Sequence, residues 1–246
     1  MATGAERPGR RVQLHRALSK LGWGSRGQAW DWIRAGEVCV DGRVITDPLT
    51  WVDVESQRIT RQGIEAETPI PLTLALHKPP GIVVTRKDER GRKTVYDLLP
   101  AGLPWLFPAG RLDADSEGLL ILTNDAQLAL RLTDPDHHVP KTYHVTVRGN
   151  PSHEALDSLR GGVTLSDGPT RPAKVRVLKT AADRTELEIV LTEGRNRQIR
   201  RMAAAVGHKI RRLVRVAIGG FRLGDIPAGG WRELGEEELR RMEDRE

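Results

Sequence analysis

The sequence predicts an α+β protein in two parts. The first is a small N-terminal helix–helix–hairpin unit; the second is a larger domain built on a large mixed, mostly antiparallel β-sheet. Three observations predict this. Two short amphipathic patterns are followed at once by the hairpin signal Asp41-Gly42. A polar stretch with two prolines, residues 60–71, then interrupts the pattern. Beyond it, β-rich runs alternate with three helical patterns to the end of the chain.

Residues 1–10 are polar, with Gly and Pro but no apolar segment of the secretory kind, and are expected to be a disordered lead. The first unit is expected over residues 11–59. Leu14, Leu18 and Leu21 fall at i, i+4 and i+7, an apolar stripe on a helix ended by Gly22. Ser25 opens a second helix, with Gln28 three residues on to complete a capping box. Ala29, Trp32 and Ile33 form its inner face, and Gly36 is the natural stop. Val38, Val40 and Val44 flank the hairpin turn. Arg10, Arg11, Arg16, Lys20, Arg26, Arg34 and Arg43 stud this unit, while its core positions stay apolar.

Residues 60–71 read as a linker and residues 72–246 as the second domain. Strands are expected at 72–77, 81–85, 118–123, 141–147, 174–178, 185–191 and 210–218, and helices at 125–132, 152–159 and 197–206.

Composition narrows the function classes. Hydrophobic residues make up 38% of the 246, enough for a packed core. The single cysteine, Cys39, excludes an internal disulfide framework and a zinc site of clustered cysteines. No apolar run is long enough to span a membrane, so a cytoplasmic protein is expected. Of 39 basic residues 31 are Arg, and the net charge is +6. The planar guanidinium suits phosphates and base faces, although arginine-rich codon usage gives the same count.

Three motifs carry chemistry. In Gly110-Arg-Leu-Asp-Ala-Asp-Ser-Glu-Gly118 the acids Asp113, Asp115 and Glu117 alternate as in the first half of a calcium loop. The match fails at the twelfth position, where Asn124 replaces the bidentate Glu, and residues 119–122 are an apolar strand. A sugar-cleaving carboxylate pair lacks its aromatic platform; a solvated acidic turn remains open. Between Arg195 and Arg215 lie eight Lys or Arg and no acid. On a helix from Arg197, the residues Ile199, Met202, Ala203 and Val206 face inward, leaving Arg197, Arg200 and Arg201 to present charge. So many cations without acids repel unless an anion neutralises them, and a phosphate backbone is such an anion. The third motif is Lys141-Thr-Tyr143, preceded by His137 and His138. Adjacent loop histidines chelate a metal poorly; Tyr143 suits either core packing or stacking on a base.

Together these fragments resemble the bacterial ribosomal-RNA pseudouridine synthases that carry an N-terminal S4 RNA-binding domain. Ser25-Arg26, Ala29, Ile33-Arg-Ala-Gly36 and Val40-Asp-Gly42 look like the S4 part. Lys78-Pro-x-Gly81, Gly110-Arg-Leu-Asp113, Gly118-Leu-Leu-Ile-Leu-Thr-Asn-Asp125, Lys141-x-Tyr143 and Glu193-Gly-Arg-Asn-Arg-Gln-Ile-Arg-Arg-Met202 look like the catalytic part. The chain departs from the pattern at His77, often Asn, and at Arg200, often Lys.

The resemblance implies conversion of a specific uridine in ribosomal RNA to pseudouridine, without a cofactor. It implies Asp113 as the essential carboxylate and leaves open covalent attack or base action. The uridine must leave its stack to be reached. Arg111 would fill the vacated space, Tyr143 would pack on the flipped base, and Arg200 would pair with Asp113. Asp115 and Glu117 are then exposed loop acids. Arg195, Arg197, Arg201, Arg16, Arg26, Arg34 and Lys78 are expected to contact RNA. The partner is ribosomal RNA, of the small or large subunit, with Asn196-Arg197 leaning towards the large; the enzyme is expected to be a monomer. A non-enzymatic RNA-binding protein on the same fold is the rival reading. The joint presence of Asp113, Tyr143 and Arg200 argues against it.

Overall fold

The computed structural model describes residues 11–65 and 70–244. The expected disordered lead and residues 66–69 of the expected linker lie outside them. The described chain divides into two compact units. One runs up to Pro71 and includes Gly102–Phe107; the other comprises Leu72–Ala101 and the residues from Pro108 onward.

The first unit begins with β1 (Arg11–Gln13), α1 (Leu14–Lys20) and α2 (Arg26–Arg34). Ser25 caps α2 through a complete capping box, its Oγ accepting from Gln28 N–H at 3.2 Å while Gln28 Oε1 accepts from Ser25 N–H at 3.0 Å. Next come β2 (Val38–Val40), β3 (Arg43–Val44), β4 (Trp51–Asp53), β5 (Ile59–Arg61) and β6 (Ile64–Glu65). Asp41 and Gly42 both take positive φ, 51° and 78°, as a two-residue turn matched to strand twist requires. β1 pairs β4, and a four-stranded sheet runs β3-β2-β5-β6. Leu14, Leu18, Ile33, Val38, Val52 and Ile59 lie in its core.

Two expectations change here. The linker cannot start at residue 60, because residues 60–65 are a hairpin: β5 adds to β2, Gln62 and Gly63 turn, and β6 adds to β5. Pairing with the hairpin satisfies backbone groups that polar side chains alone made look like loop. Trp32 is only half-buried, at the rim, with the Arg61 guanidinium 3.8 Å above its ring.

The next elements are β7 (Thr73–Lys78), β8 (Phe107–Pro108, whose second residue falls in the second unit), β9 (Glu117–Thr123), α3 (Ala126–Thr133), β10 (Lys141–Arg148) and α4 (His153–Gly161). The second unit continues with β11 (Thr164–Leu165), β12 (Gly168–Pro169), β13 (Lys174–Ala181), β14 (Arg184–Leu191) and α5 (Gln198–Ala205). β15 (Ile210–Ile218), β16 (Phe221–Arg222), β17 (Trp231–Glu233) and α6 (Glu236–Glu243) complete it. The main sheet runs β13-β14-β10-β15-β9-β7-β17. Its path is antiparallel except where β15 meets β9 in parallel. Leu119, Leu120, Ile121 and Leu122 are all fully buried, so β9 is covered on both faces, which explains its unbroken apolar run.

The expected strand at 81–85 is absent. Pro79-Pro80 and Gly81, at φ 86°, turn the chain, leaving one isolated bridge from Val83 to Thr94. The small strands β11, β12, β16 and β17 and the helix α6 were not anticipated from the sequence.

Candidate active site

The loop from Gly110 to Ser116 is held from below. Lys78 is fully buried at the end of β7, and its ammonium donates to the carbonyls of Pro79 (2.9 Å), Ile82 (2.7 Å) and Ala114 (3.4 Å). Gly81 N–H donates to the same Ala114 carbonyl at 2.7 Å. Burial pushes the Lys78 ammonium down to about 8, against the upward pull of Asp115, Asp113 and Glu117. The expectation that Lys78 contacts RNA is therefore corrected. A fully covered ammonium that saturates three carbonyls has no donor to offer a phosphate. At the far side of the loop Gly118 has φ 108°, and a Cβ there would stand 2.3 Å from the Arg215 carbonyl oxygen. Only glycine allows β9 to approach β15 so closely.

Above this support lies a cavity of about 360 Å³, lined by Arg111, Asp113, Lys141, Tyr143, Arg197 and Arg215 among others. Lys141 and Tyr143 alternate along β10 and so share a face; Arg215 on β15 lies opposite Tyr143. Arg111 is exposed and has no ion-pair partner among the described residues. Asp113 is partly exposed, and Arg197 stands 3.6 Å from its Oδ2.

Arg200 does not fill the role expected of it. Its Nη2 donates to the Asp115 carbonyl at 2.9 Å, and its Nε lies 3.3 Å from Asp115 Oδ2. Arg197 makes the Asp113 contact because its own φ of 47° turns the chain just before α5. It also binds Asp115 in bidentate fashion, at 3.0 and 2.8 Å. The Arg197 hydrogen bonds, helped by the charge of Arg200, hold Asp115 below the usual carboxylate range. Asp115 is thus an anchor rather than a free loop acid. Glu117 is also corrected: its side chain is largely covered, pairs with Arg212 at 2.5 Å and lies 3.9 Å from His77 Nε2.

The basic run is less bare than it reads. Arg201 pairs with Asp167 at 2.7 Å, and Arg211 with Asp183 at 2.7 Å. Arg195 donates to the Gly168 and Pro169 carbonyls and lies 3.3 Å from Glu193. Acids distant in sequence neutralise much of a segment that contains none, so its charge alone does not require a phosphate. Arg195 and Arg197 line the cavity; Arg200 and Arg201 do not, being engaged by Asp115 and Asp167. Arg16, Arg26 and Arg34 are exposed on the first unit, Arg34 with its guanidinium 5.7 Å from the Trp30 ring.

Sequence reasoning assigned no role to Arg215, which is 4% exposed and lines the cavity. The available signal was its register: Leu213, Arg215 and Ala217 alternate on β15, and a cation among inward apolar neighbours is anomalous.

A carboxylate beside an aromatic ring, in a cationic cavity on a rigid sheet, has the layout of an enzyme acting on a nucleotide. Comparison with known proteins specifies the reaction. A model of the RNA pseudouridylate synthases matches residues 73–205, and a model of the S4 domain matches residues 12–57. An uncharacterised RNA pseudouridine synthase of Mycobacterium bovis is 41% identical over 234 residues, covering 94% of this chain and 92% of the relative. The ribosomal large subunit pseudouridine synthase B of Bacillus subtilis is 37% identical over 232 residues, covering 94% and 95%. A crystal structure of a pseudouridylate synthase superposes with a TM-score of 0.69 at 29% identity, covering 94% of this chain and 99% of that one. The chain belongs to the RNA pseudouridylate synthase family, with an S4 domain preceding the catalytic domain. It is an isomerase that acts on uridine in RNA.

Proposed function

We propose that the substrate is a uridine of ribosomal RNA and that Asp113 is the reacting carboxylate. The observation that carries the assignment is the cavity shared by Asp113 and Tyr143, with Arg197 3.6 Å from the carboxylate. Asp115 and Glu117 are committed to arginines at 2.8 and 2.5 Å, which leaves Asp113 the loop acid with the loosest partner.

The reaction moves the glycosidic bond from N1 of uracil to C5. The N1–C1′ bond breaks with its electron pair left on the base. The demand at C1′ is met by a carboxylate oxygen, or by the C2′–H pair if Asp113 removes that proton. C5 then bonds to C1′, displacing the carboxylate oxygen or with the proton returned from Asp113 to C2′. C5 loses its proton and N1 gains one, so the atoms balance without a cofactor. The uridine is flipped into the cavity, Tyr143 stacks on it, and Arg111 fills the space it leaves. Arg195 and Arg197 line the entry, while Arg16, Arg26 and Arg34 of the S4 domain hold the RNA backbone.

The curated relatives of Bacillus subtilis and Xanthomonas axonopodis, named for the large ribosomal subunit, favour large-subunit RNA. The enzyme works as a monomer in the cytoplasm, where that RNA is assembled. Mapping pseudouridine in both ribosomal RNAs from cells with and without the gene tests the substrate. The reading expects one large-subunit uridine to remain unconverted without the gene; unchanged maps would refute it.

A further inference from the structure

We propose that Lys141 and Arg215 form an electrostatic cradle for the negative charge on the uracil ring while it is detached from, or loosened on, the ribose. The proposal rests on the reading of this cavity as the uridine site.

Both side chains line the cavity from adjacent strands, on the face that carries Tyr143. A base stacked on Tyr143 therefore lies beside both cations. Arg215 is held rather than free: its Nε donates to the Leu119 carbonyl at 2.7 Å. Its Nη2 is buried with no hydrogen-bond partner among the described residues. A buried guanidinium donor without a partner is costly and rare. Lys141 is partly buried, and burial, reinforced by the charge of Arg215, pushes its ammonium down to about 8. The neighbouring cations are treated differently. Arg195, Arg197, Arg201, Arg211 and Arg212 each face an acid. Of the acids lining the cavity, Glu193 is engaged by Arg195 and Gln198, and Asp113 faces Arg197. Among the described residues the cavity thus keeps Lys141 and Arg215, adjacent and shielded, without an acid partner; Arg111, also unpaired, is exposed at its surface.

The reaction supplies one. When N1–C1′ breaks, the pair left on N1 spreads onto the two carbonyl oxygens of uracil. If Asp113 instead adds to C6, the displaced pair accumulates on O4. Each route places transient charge on a carbonyl oxygen. Bonding of C5 to C1′ consumes that pair, and the C5 proton then leaves as N1 gains one, with Asp113 expelled from C6 where it had added there. Fixed cations aimed at charge that exists only during the reaction stabilise it without reorganising.

The test is single-turnover conversion of an rRNA fragment carrying uridine or 5-fluorouridine, followed by chromatography of the digested nucleosides. Full-length wild type is compared with Lys141→Met, Lys141→Arg and Arg215→Met, with thermal unfolding of each. The cradle predicts that each Met variant loses on the order of 10²-fold in rate on uridine. RNA affinity is unchanged, and the loss is smaller on 5-fluorouridine, whose fluorine already withdraws charge. Lys141→Arg regains most of the rate. Equal losses on both substrates, unchanged rates, or weakened RNA binding at undiminished rate would overturn the proposal, the last pointing to phosphate contacts. If Arg215→Met unfolds, the two Lys141 variants decide alone. Turnover by Asp113→Asn in the same assay would sink the underlying site reading instead.

Discussion

The Arg197 guanidinium reaches two carboxylates at once, Asp115 at 2.8 Å and Asp113 at 3.6 Å. It closes on the first and only approaches the second, so Asp115 acts as a fixed post from which Arg197 steers Asp113. Arg200 steadies the post from the next turn of α5.

This arrangement predicts a split between stability and rate. The Arg197 pairs are half-exposed, and such pairs contribute only about 0.2–1 kcal/mol to stability. Arg197→Met should therefore leave the melting temperature nearly unchanged. It should lower kcat towards the order of 10²-fold, the penalty for a misplaced reacting group. Arg197→Lys cannot span both carboxylates and should fall between. Asp115→Asn should cost activity too, through Arg197, but less than replacement of Asp113. Single-turnover kinetics beside thermal melts check this. A large stability loss with unimpaired kinetics of the folded fraction would contradict it.

Lys78 is predicted to matter for folding and not for RNA affinity. Lys78→Met removes the Lys78 donor from the Pro79 and Ile82 carbonyls, costing about 1–3 kcal/mol for each that finds no substitute, while Ala114 keeps the Gly81 N–H. The salt dependence of RNA binding should not change. The pH dependence has a definite sign. The folded ammonium titrates near 8, below its unfolded value of about 10.4. The destabilisation is full below 8 and is relieved as pH rises from 8 towards 10. Denaturant melts of wild type should show that rise, and Lys78→Met should flatten it. Lys141 contributes a share of its own, so the difference between the two proteins is the quantity to read.

Most of the S4 fold was legible because its signals are local. Ser25 with Gln28, Asp41 with Gly42, and the Leu14–Leu18 stripe each act within a few residues. What escaped depends on distant partners. Lys78 reads as surface until the Ala114 carbonyl, 36 residues on, is placed above it. The acids that quiet the arginine run lie 82 residues before Arg197 and 95 before Arg212. Residues 60–65 look like linker until β2 pairs with β5 and β6 folds back onto β5. One cavity does hold both Asp113 and Tyr143, yet spacing could not say which arginine would face the carboxylate. That choice is made by the positive φ of Arg197 at the head of α5.

The S4 arginines make a prediction about salt. Arg16, Arg26 and Arg34 are all exposed on the first compact unit. Each phosphate interaction that a substitution removes should reduce the slope of log affinity against log salt by about 0.7–0.9. Replacing all three by Ala should reduce it by about two to three, with single-turnover rate at saturating enzyme preserved. An unchanged slope would remove these residues from the RNA interface.

The central claim is that Asp113 performs the chemistry. Asp113→Asn preserves shape and removes both nucleophilicity and basicity, while slightly reducing repulsion of the RNA backbone. The direct measurement is tritium release from 5-tritiated uridine in an rRNA fragment, with binding to the same fragment measured in parallel. The account predicts no release by Asp113→Asn at undiminished affinity, and substantial release by Glu117→Gln. Clear release by Asp113→Asn would contradict it.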